Sequence, residues 1–184
     1  MSTRTPIPAI ALLAGVIFVG LSLSPLSSGG SDMAITITSS AFTEGAMIPK
    51  KHTCDAEDIS PDLKWSGVPS GTQSLTLICD DPDAPAGTWV HWVLINIPAD
   101  ATALPAGIPA EAVLKNGARH GQNDFRKLGY GGPCPPGGTH RYYFKLFALD
   151  TLLTLESGST KAQLSAAMKG HILAEGQLMG KYKR

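Results

Sequence analysis

Apolar and polar residues alternate along much of this chain, the pattern of strands that bury one face. AITIT (34–38), SLTLICD (74–80), WVHWVLINI (89–97) and YYFKLFAL (142–149) carry it, the last two rich in aromatic and β-branched residues. Between them lie turn-forming segments: SGVPSGT (66–72), DPDAPAG (81–87), PADATALPAGIP (98–109) and GYGGPCPPGG (129–138). A helical period occurs once. Thr160 and Gln163 have the spacing of a capping box, and Leu164, Ala167, Met168 and Ile172 share one stripe. A helix is therefore expected from Thr160 to about Glu175, with Gly170 a point where it can break and Gly176 as its stop. A short strand, QLMGKY, then closes the chain. These elements predict a mostly-β class: an antiparallel sandwich with one main C-terminal helix and long Pro/Gly loops. Loops of such length in a compact domain usually carry function.

The first thirty residues follow neither the strand nor the helical pattern. No charged residue occurs between Arg4 and Asp32, and residues 9–23 (AIALLAGVIFVGLSL) are apolar or small throughout. That run is short of the ~20 residues a membrane span needs. It reads as a secretory signal over residues 1–30, cleaved near Ser28–Gly30 before Ser31, with a domain over 31–184. The alternative is an uncleaved tether; both place the domain outside the cytoplasm, periplasmic or secreted. Composition adds an exclusion. With 15 Lys+Arg against 15 Asp+Glu, the chain lacks the basic field that nucleic acid requires.

The three cysteines allow one bridge at most. Cys79 alternates with Leu75 and Leu77 as a small buried residue, whereas Cys54 and Cys134 sit in loop-like sequence. A Cys54–Cys134 bridge with Cys79 free is the expectation, three unpaired thiols the alternative. No C-x-x-C is present, so zinc-ribbon and thioredoxin readings fail.

Candidate chemistry comes from strand parity. Trp89 and His91 share a face with Val93 and Ile95, His140 and Tyr142 with Phe144 and Leu146, and Asp81 with Leu77 and Cys79. Three apolar faces thus end in polar residues beside Pro/Gly loops. If those ends converge, they make a pocket with an apolar floor and a rim of Asp81, His91, His140 and Tyr142. Two imidazoles and a phenol can hydrogen-bond an anion, and glycines at 131–132 let backbone N–H groups approach it. His140 and Tyr142 are expected to hold the anion with the Gly132 amide, while Asp81 orients His91 or meets a ligand ammonium and Trp89 can stack on a cationic head group.

DDPDAP (80–85), WVHWVLINIP (89–98) and GYGGPCPPGGTHRYYFKLFALD (129–150) together resemble the phosphatidylethanolamine-binding protein family. Its bacterial YbhB/YbcL branch, often labelled Raf-kinase-inhibitor-like, is most similar, and ISPDLKWSGVP (59–69) and residues 160–182 fit it too. The resemblance implies a two-sheet antiparallel fold with a small anion pocket at the sheet edge. The ligand-binding residues it implies here are Asp81, Trp89, His91, Gly132, Pro133, His140 and Tyr142. Asp83 and Pro85 match structural positions of the D-P-D-A-P motif, with a cis peptide at Ala84–Pro85. Only Ala86, Gly87 and Thr88 separate Pro85 from Trp89, where eukaryotic members carry a longer loop. The chain also stops at Arg184, before the extra helix of mammalian members. Phosphatidylethanolamine itself is therefore not carried over as the ligand.

The function expected is an exported, non-catalytic binding protein for a phosphorylated ligand or lipid head group, able to modulate a partner protein. No cofactor is expected, and the bacterial relatives point to a homodimer. The alternatives are a protein-interaction module or protease inhibitor with a vestigial pocket, and a hydrolase. Asp80, Asp81 and Asp83 with a histidine do not match a calcium loop, so no metal is expected. No G-x-S-x-G elbow occurs, and a Cys134–His140 nucleophile would sit in a loop suited to a disulfide. His52, His120 and His171 are expected at the surface or in caps. Arg141 and Lys145 should point away from the pocket.

Overall fold

The computed structural model describes residues 34–184 together with the first three residues. The expected leader and its cleavage point before Ser31 fall outside the described residues. In chain order the strands are β1 (Thr36–Thr38), β2 (Leu63–Ser66), β3 (Ser74–Asp81), β4 (Trp89–Pro98), β5 (Ala103–Leu104), β6 (Arg119–His120) and β7 (Thr139–Leu149), then helix α1 (Lys161–Met168) and strand β8 (Ile172–Lys183). They form two antiparallel sheets, one ordered β1-β2-β5 and the other β6-β4-β3-β7-β8. The expected mostly-β, two-sheet class is the observed one.

The main core lies between the sheets, where Leu63 and Trp65 of β2 meet Leu75, Leu77, Trp92, Leu94, Phe144 and Leu146. A second cluster covers the other face of the large sheet, joining Ile78, Val90, Val93 and Ile95 to Leu153, Leu164 and Met168. This explains why all eight residues of β3 are buried. β3 lies between β4 and β7 in the sheet and is covered on both faces. β2 escaped the sequence reading because its alternation, Leu63 and Trp65 in with Lys64 and Ser66 out, is only four residues long.

Parity in β4 differs from the sequence expectation. The β3–β4 register slips between Cys79↔Trp92 and Asp80↔Val90, so β4 carries one extra residue at His91. Val93 and Ile95 consequently face the helix, while His91 faces the inter-sheet side with Trp92 and Tyr142. A second slip between Leu75 and Leu77 coincides with Asn96 at φ 55. There the Asn96 amide donates to the Leu153 carbonyl (2.8 Å) and accepts from its N–H (3.0 Å).

The helix is shorter than expected. Thr160 caps it, accepting from the Gln163 N–H while the Gln163 side chain takes the Thr160 N–H, which is the full capping box. It stops at Met168, and Gly170 at φ 84 turns the chain away. Residues from Ile172 onward pair with β7 from Leu149↔Ile172 to Thr139↔Lys183. That long ladder offers more hydrogen bonds and burial than two further helical turns, and Ile172 is exposed instead of completing the stripe. His52 and His120 are also corrected: both are fully buried. Each gives Nδ1 to a carbonyl, Ile59 at 2.9 Å and Glu111 at 2.7 Å, and His120 stacks on Trp92. His171 is exposed and pairs with Asp150.

Candidate functional site

The C-terminal end of β3, the start of β4 and the start of β7 meet at one end of the large sheet, where Asp81 lies opposite Trp89 in the register. They enclose a cavity of about 200 Å³ whose walls include Asp81, Trp89, His91, Phe125, Cys134 and His140. Ala84, Pro85, Pro135 and Pro136 complete it, so most of the lining is apolar.

Asp81 is buried and uses both carboxylate oxygens. Oδ1 accepts the Asp83 N–H (2.8 Å), the turn bond expected of Asp before Pro, and Oδ2 accepts from His140 Nδ1 (2.7 Å). His91 gives its own Nδ1 to the Gly131 carbonyl (2.6 Å). Since a carbonyl only accepts, the His91 proton sits on Nδ1; the carboxylate imposes the same tautomer on His140. Each ring therefore commits Nδ1 to the protein. Burial pushes the His91 imidazole below its ordinary range, against the opposing pull of the Gly131 carbonyl and the Asp81 charge.

Tyr142 stands edge-on to His91 with ring centroids 5.1 Å apart. Its hydroxyl is buried near the Asp81 carboxylate without a well-formed hydrogen bond among the described residues, and burial followed by the Asp81 charge pushes its pKa well above the usual phenol range. Tyr142 is wholly buried and supports the pocket from beneath. Gly132 and Pro133 likewise stand behind the wall. The Gly132 N–H already donates to Asp58 Oδ1 (2.7 Å), and the Pro133 carbonyl accepts from the Cys54 N–H (3.2 Å). The Gly132 amide is thus spent within the protein, and Asp81 orients His140, not His91.

Cys54 and Cys134 are joined by a disulfide, with Cα atoms 5.4 Å apart. Cys79 is buried and unbridged. The bridge ties the Lys50–His52 turn region to the Cys134–Pro136 wall. Asp83 turns outward and receives Arg141 through Nε (2.8 Å), Nη2 (2.6 Å) and the backbone N–H (3.0 Å). That guanidinium holds the Asp83 carboxyl down to about 2. Every peptide bond in the described residues is trans, so the cis Ala84–Pro85 bond implied by resemblance is not found.

Phe125 was missed in the sequence. Its ring packs edge-on against both Trp89 and His91, each at 5.4 Å. The loop that presents it is firmly built. Buried Asn123 donates to the Gly129 carbonyl (3.1 Å) and accepts the Lys127 N–H (3.1 Å), and Asp124 accepts the Val90 N–H (2.7 Å). Gly131 leaves the space the ring needs, because a Cβ there would lie 2.8 Å from it. A lone aromatic in the polar segment QNDFRK was the available signal. Among the described residues, no group of three or more His, Cys, Asp or Glu could hold a metal ion.

Two antiparallel sheets with a small pocket at one sheet end, lined by paired histidines and an aspartate, define a compact β binding fold. The chain belongs to the phosphatidylethanolamine-binding protein family, whose profile matches residues 38–183. A UPF0098 protein of Methanothermobacter thermautotrophicus is 53% identical over 144 residues, covering 78% of this chain and 95% of the relative. Among solved structures, the phosphatidylethanolamine-binding protein homologue CT736 of Chlamydia trachomatis superposes with a TM-score of 0.76 at 43% identity. The match covers 83% of this chain and 99% of that one. YbcL of Escherichia coli, described as a member of the mammalian family, gives 0.75 at 34% identity, covering 82% and 98%.

Proposed function

We propose that this protein is an exported binding module that holds a small phosphorylated ligand in the Asp81–His91–His140 pocket and releases it unchanged. The phosphate is that of a free phosphomonoester or of a lipid head group. The observation that carries this reading is the pair of imidazoles, each with Nδ1 fixed, at 2.7 Å to Asp81 and 2.6 Å to Gly131. Both rings line the cavity, so their Nε2 edges are the groups left to recognise a ligand.

Size supports a small ligand. A cavity of about 200 Å³ suits a phosphate with a short head group, and lies below the ~300 Å³ at which drug-sized sites begin. Binding without turnover is supported by the lining itself. Among the described residues it contains no serine, threonine or lysine nucleophile, and the sulfur of Cys134 is held in the disulfide. The same disulfide supports export, since such bridges persist in oxidising compartments.

Amide-shift titration of the domain from Ser31 tests the reading, using O-phosphoethanolamine, inorganic phosphate and a neutral alcohol. Vesicles with and without phosphatidylethanolamine separate the lipid source from the free one. Saturable shifts around Asp81, His91 and His140, absent in His140→Ala, are expected for the phosphorylated ligands only. No localised shift with any of them would sink the small-anion function and move the search to macromolecular partners.

A further inference from the structure

Among the described residues, the pocket holds no fixed positive charge. None of its lining residues is lysine or arginine, and its sole carboxylate is Asp81. Cations nearby are committed elsewhere. Arg141, adjacent to His140 in the chain, is held by Asp83, and Lys145 and Lys161 pair with Asp80. Arg184 touches the Cys134 sulfur at 3.7 Å but pairs with Asp55 (3.0 Å). Tyr182, opposite His140 in the β7–β8 ladder, also gives its hydroxyl to Asp55 (2.7 Å). Asp58, near His91, is taken by the Gly132 N–H.

The hydrogen-bond pattern sharpens the difficulty for an anion. With Nδ1–H given to the protein by both rings, an imidazole in its neutral form shows the pocket a lone pair on Nε2. The indole N–H of Trp89 is buried and unpaired, yet neutral. In that form the site has two acceptors beside a buried carboxylate and no cationic donor among its lining residues, a balance that disfavours the ligand class proposed above. One change reverses this. A proton on His140 Nε2 creates a charged donor whose positive charge is matched by Asp81 through the bond already in place.

Resting on that proposed function, we infer that the pocket takes its anion together with a proton. Solvent supplies one H⁺ to His140 Nε2, Nδ1–H stays on Asp81, and the new Nε2–H donates to the anion; release returns the proton to solvent. His91 stays neutral, with its Nδ1–H on the Gly131 carbonyl. Affinity for a permanently ionised anion consequently falls as pH rises.

The test uses two probes whose charge does not change between about pH 5.5 and 8.5: sulfate for a terminal phosphoryl group and dimethyl phosphate for a lipid-type diester. Wherever one proton is taken up per anion bound, Kd is expected to weaken about tenfold per pH unit. Calorimetry in buffers of different protonation enthalpy should count about one proton taken up, with the uptake lost in His140→Gln. The count on the unsubstituted protein stands even if that variant folds poorly. Binding without pH dependence or proton uptake would overturn the inference while leaving the anion pocket intact. So would uptake that survives in His140→Gln and vanishes in His91→Gln. Affinity that rises with pH would also overturn it, since the acceptor pair would then be receiving a donor ligand such as an ammonium. Absence of binding to either anion throughout the range would remove the proposed function as well.

Discussion

Asp80 and Asp81 are neighbours at the end of β3, both almost wholly buried, and they point to opposite faces of the same sheet. Asp80 faces the helix side, where Lys145 (2.9 Å) and Lys161 both reach its carboxylate. Asp81 faces the pocket and meets an imidazole and a turn amide. The first carboxylate is met by two lysine side chains, one on β7 and one on α1, so it fastens α1 to β7. The second meets one imidazole, whose Nδ1 it holds at 2.7 Å while the ring's other nitrogen lies toward the pocket. Two identical residues thus acquire different functions from the partners that the opposite faces of one strand supply.

Removing the fixed balance should have the larger structural effect. Asp80→Asn leaves two lysine ammonium groups against a buried amide, an expected loss of about 3 kcal/mol in urea denaturation. Both lysines retain a path to water, with side chains 34% and 30% exposed, which keeps the loss at the lower end for a broken buried pair. Anion affinity should remain within about twofold of the unsubstituted protein, since the pocket face is untouched.

Acid extends the comparison to histidines that have a carbonyl partner and no carboxylate bond. Burial, the largest cause in each, lowers the pKa of His52, His91 and His120 from 6.5. The unfolded chain therefore binds more protons than the folded one as pH falls below 6.5. Stability should be fully present above that value and decline below it, by up to about 1 kcal/mol per histidine over the first pH unit. Denaturation at about pH 7.5 and 5.5 measures the slope, which His120→Phe should reduce. A flat profile would mean these rings protonate in place.

Asp81→Asn addresses the other carboxylate. An amide at Asp81 can still accept the Asp83 N–H, so stability should fall by only about 1 kcal/mol. Its N–H₂ would face His140 Nδ1 and favour the opposite tautomer, placing a neutral donor at Nε2. Sulfate affinity should then become nearly independent of pH, with proton uptake in calorimetry close to zero. The smallest effect belongs to Asp83, whose partner Arg141 is solvated. Asp83→Asn should shift Tm by no more than about 3 °C. The contribution of Asp83 is present above its ordinary value of 3.8 and is lost as pH falls toward about 2. A thermal melt at neutral pH checks the substitution.

Much of the fold is legible because its signals are local. Alternation marks β3, β4 and β7, and the Thr160–Gln163 pair marks the start of α1. The end of α1 was misjudged because β7 supplies β8 with a ladder that outcompetes two more helical turns. The pocket was legible only as residue types near loops. His91 was assigned to the face of Val93 and Ile95, since a bulge leaves no mark in strict alternation. Gly132 looked like a free amide because Asp58, 74 residues earlier, is not visible as its partner. Phe125 was passed over because its contacts with Trp89 and His91 come from a loop more than 30 residues downstream in the chain.

By itself the sequence determined the family, the mostly-β class and the long strands β3, β4 and β7, because motif residues and a period of two are properties of neighbours along a chain. Only the tertiary structure decided which imidazole Asp81 holds, which amides are already spent and which aspartate faces the pocket. Those depend on register, bulges and long-range hydrogen bonds, where a shift of one residue moves a side chain to the other face of the sheet.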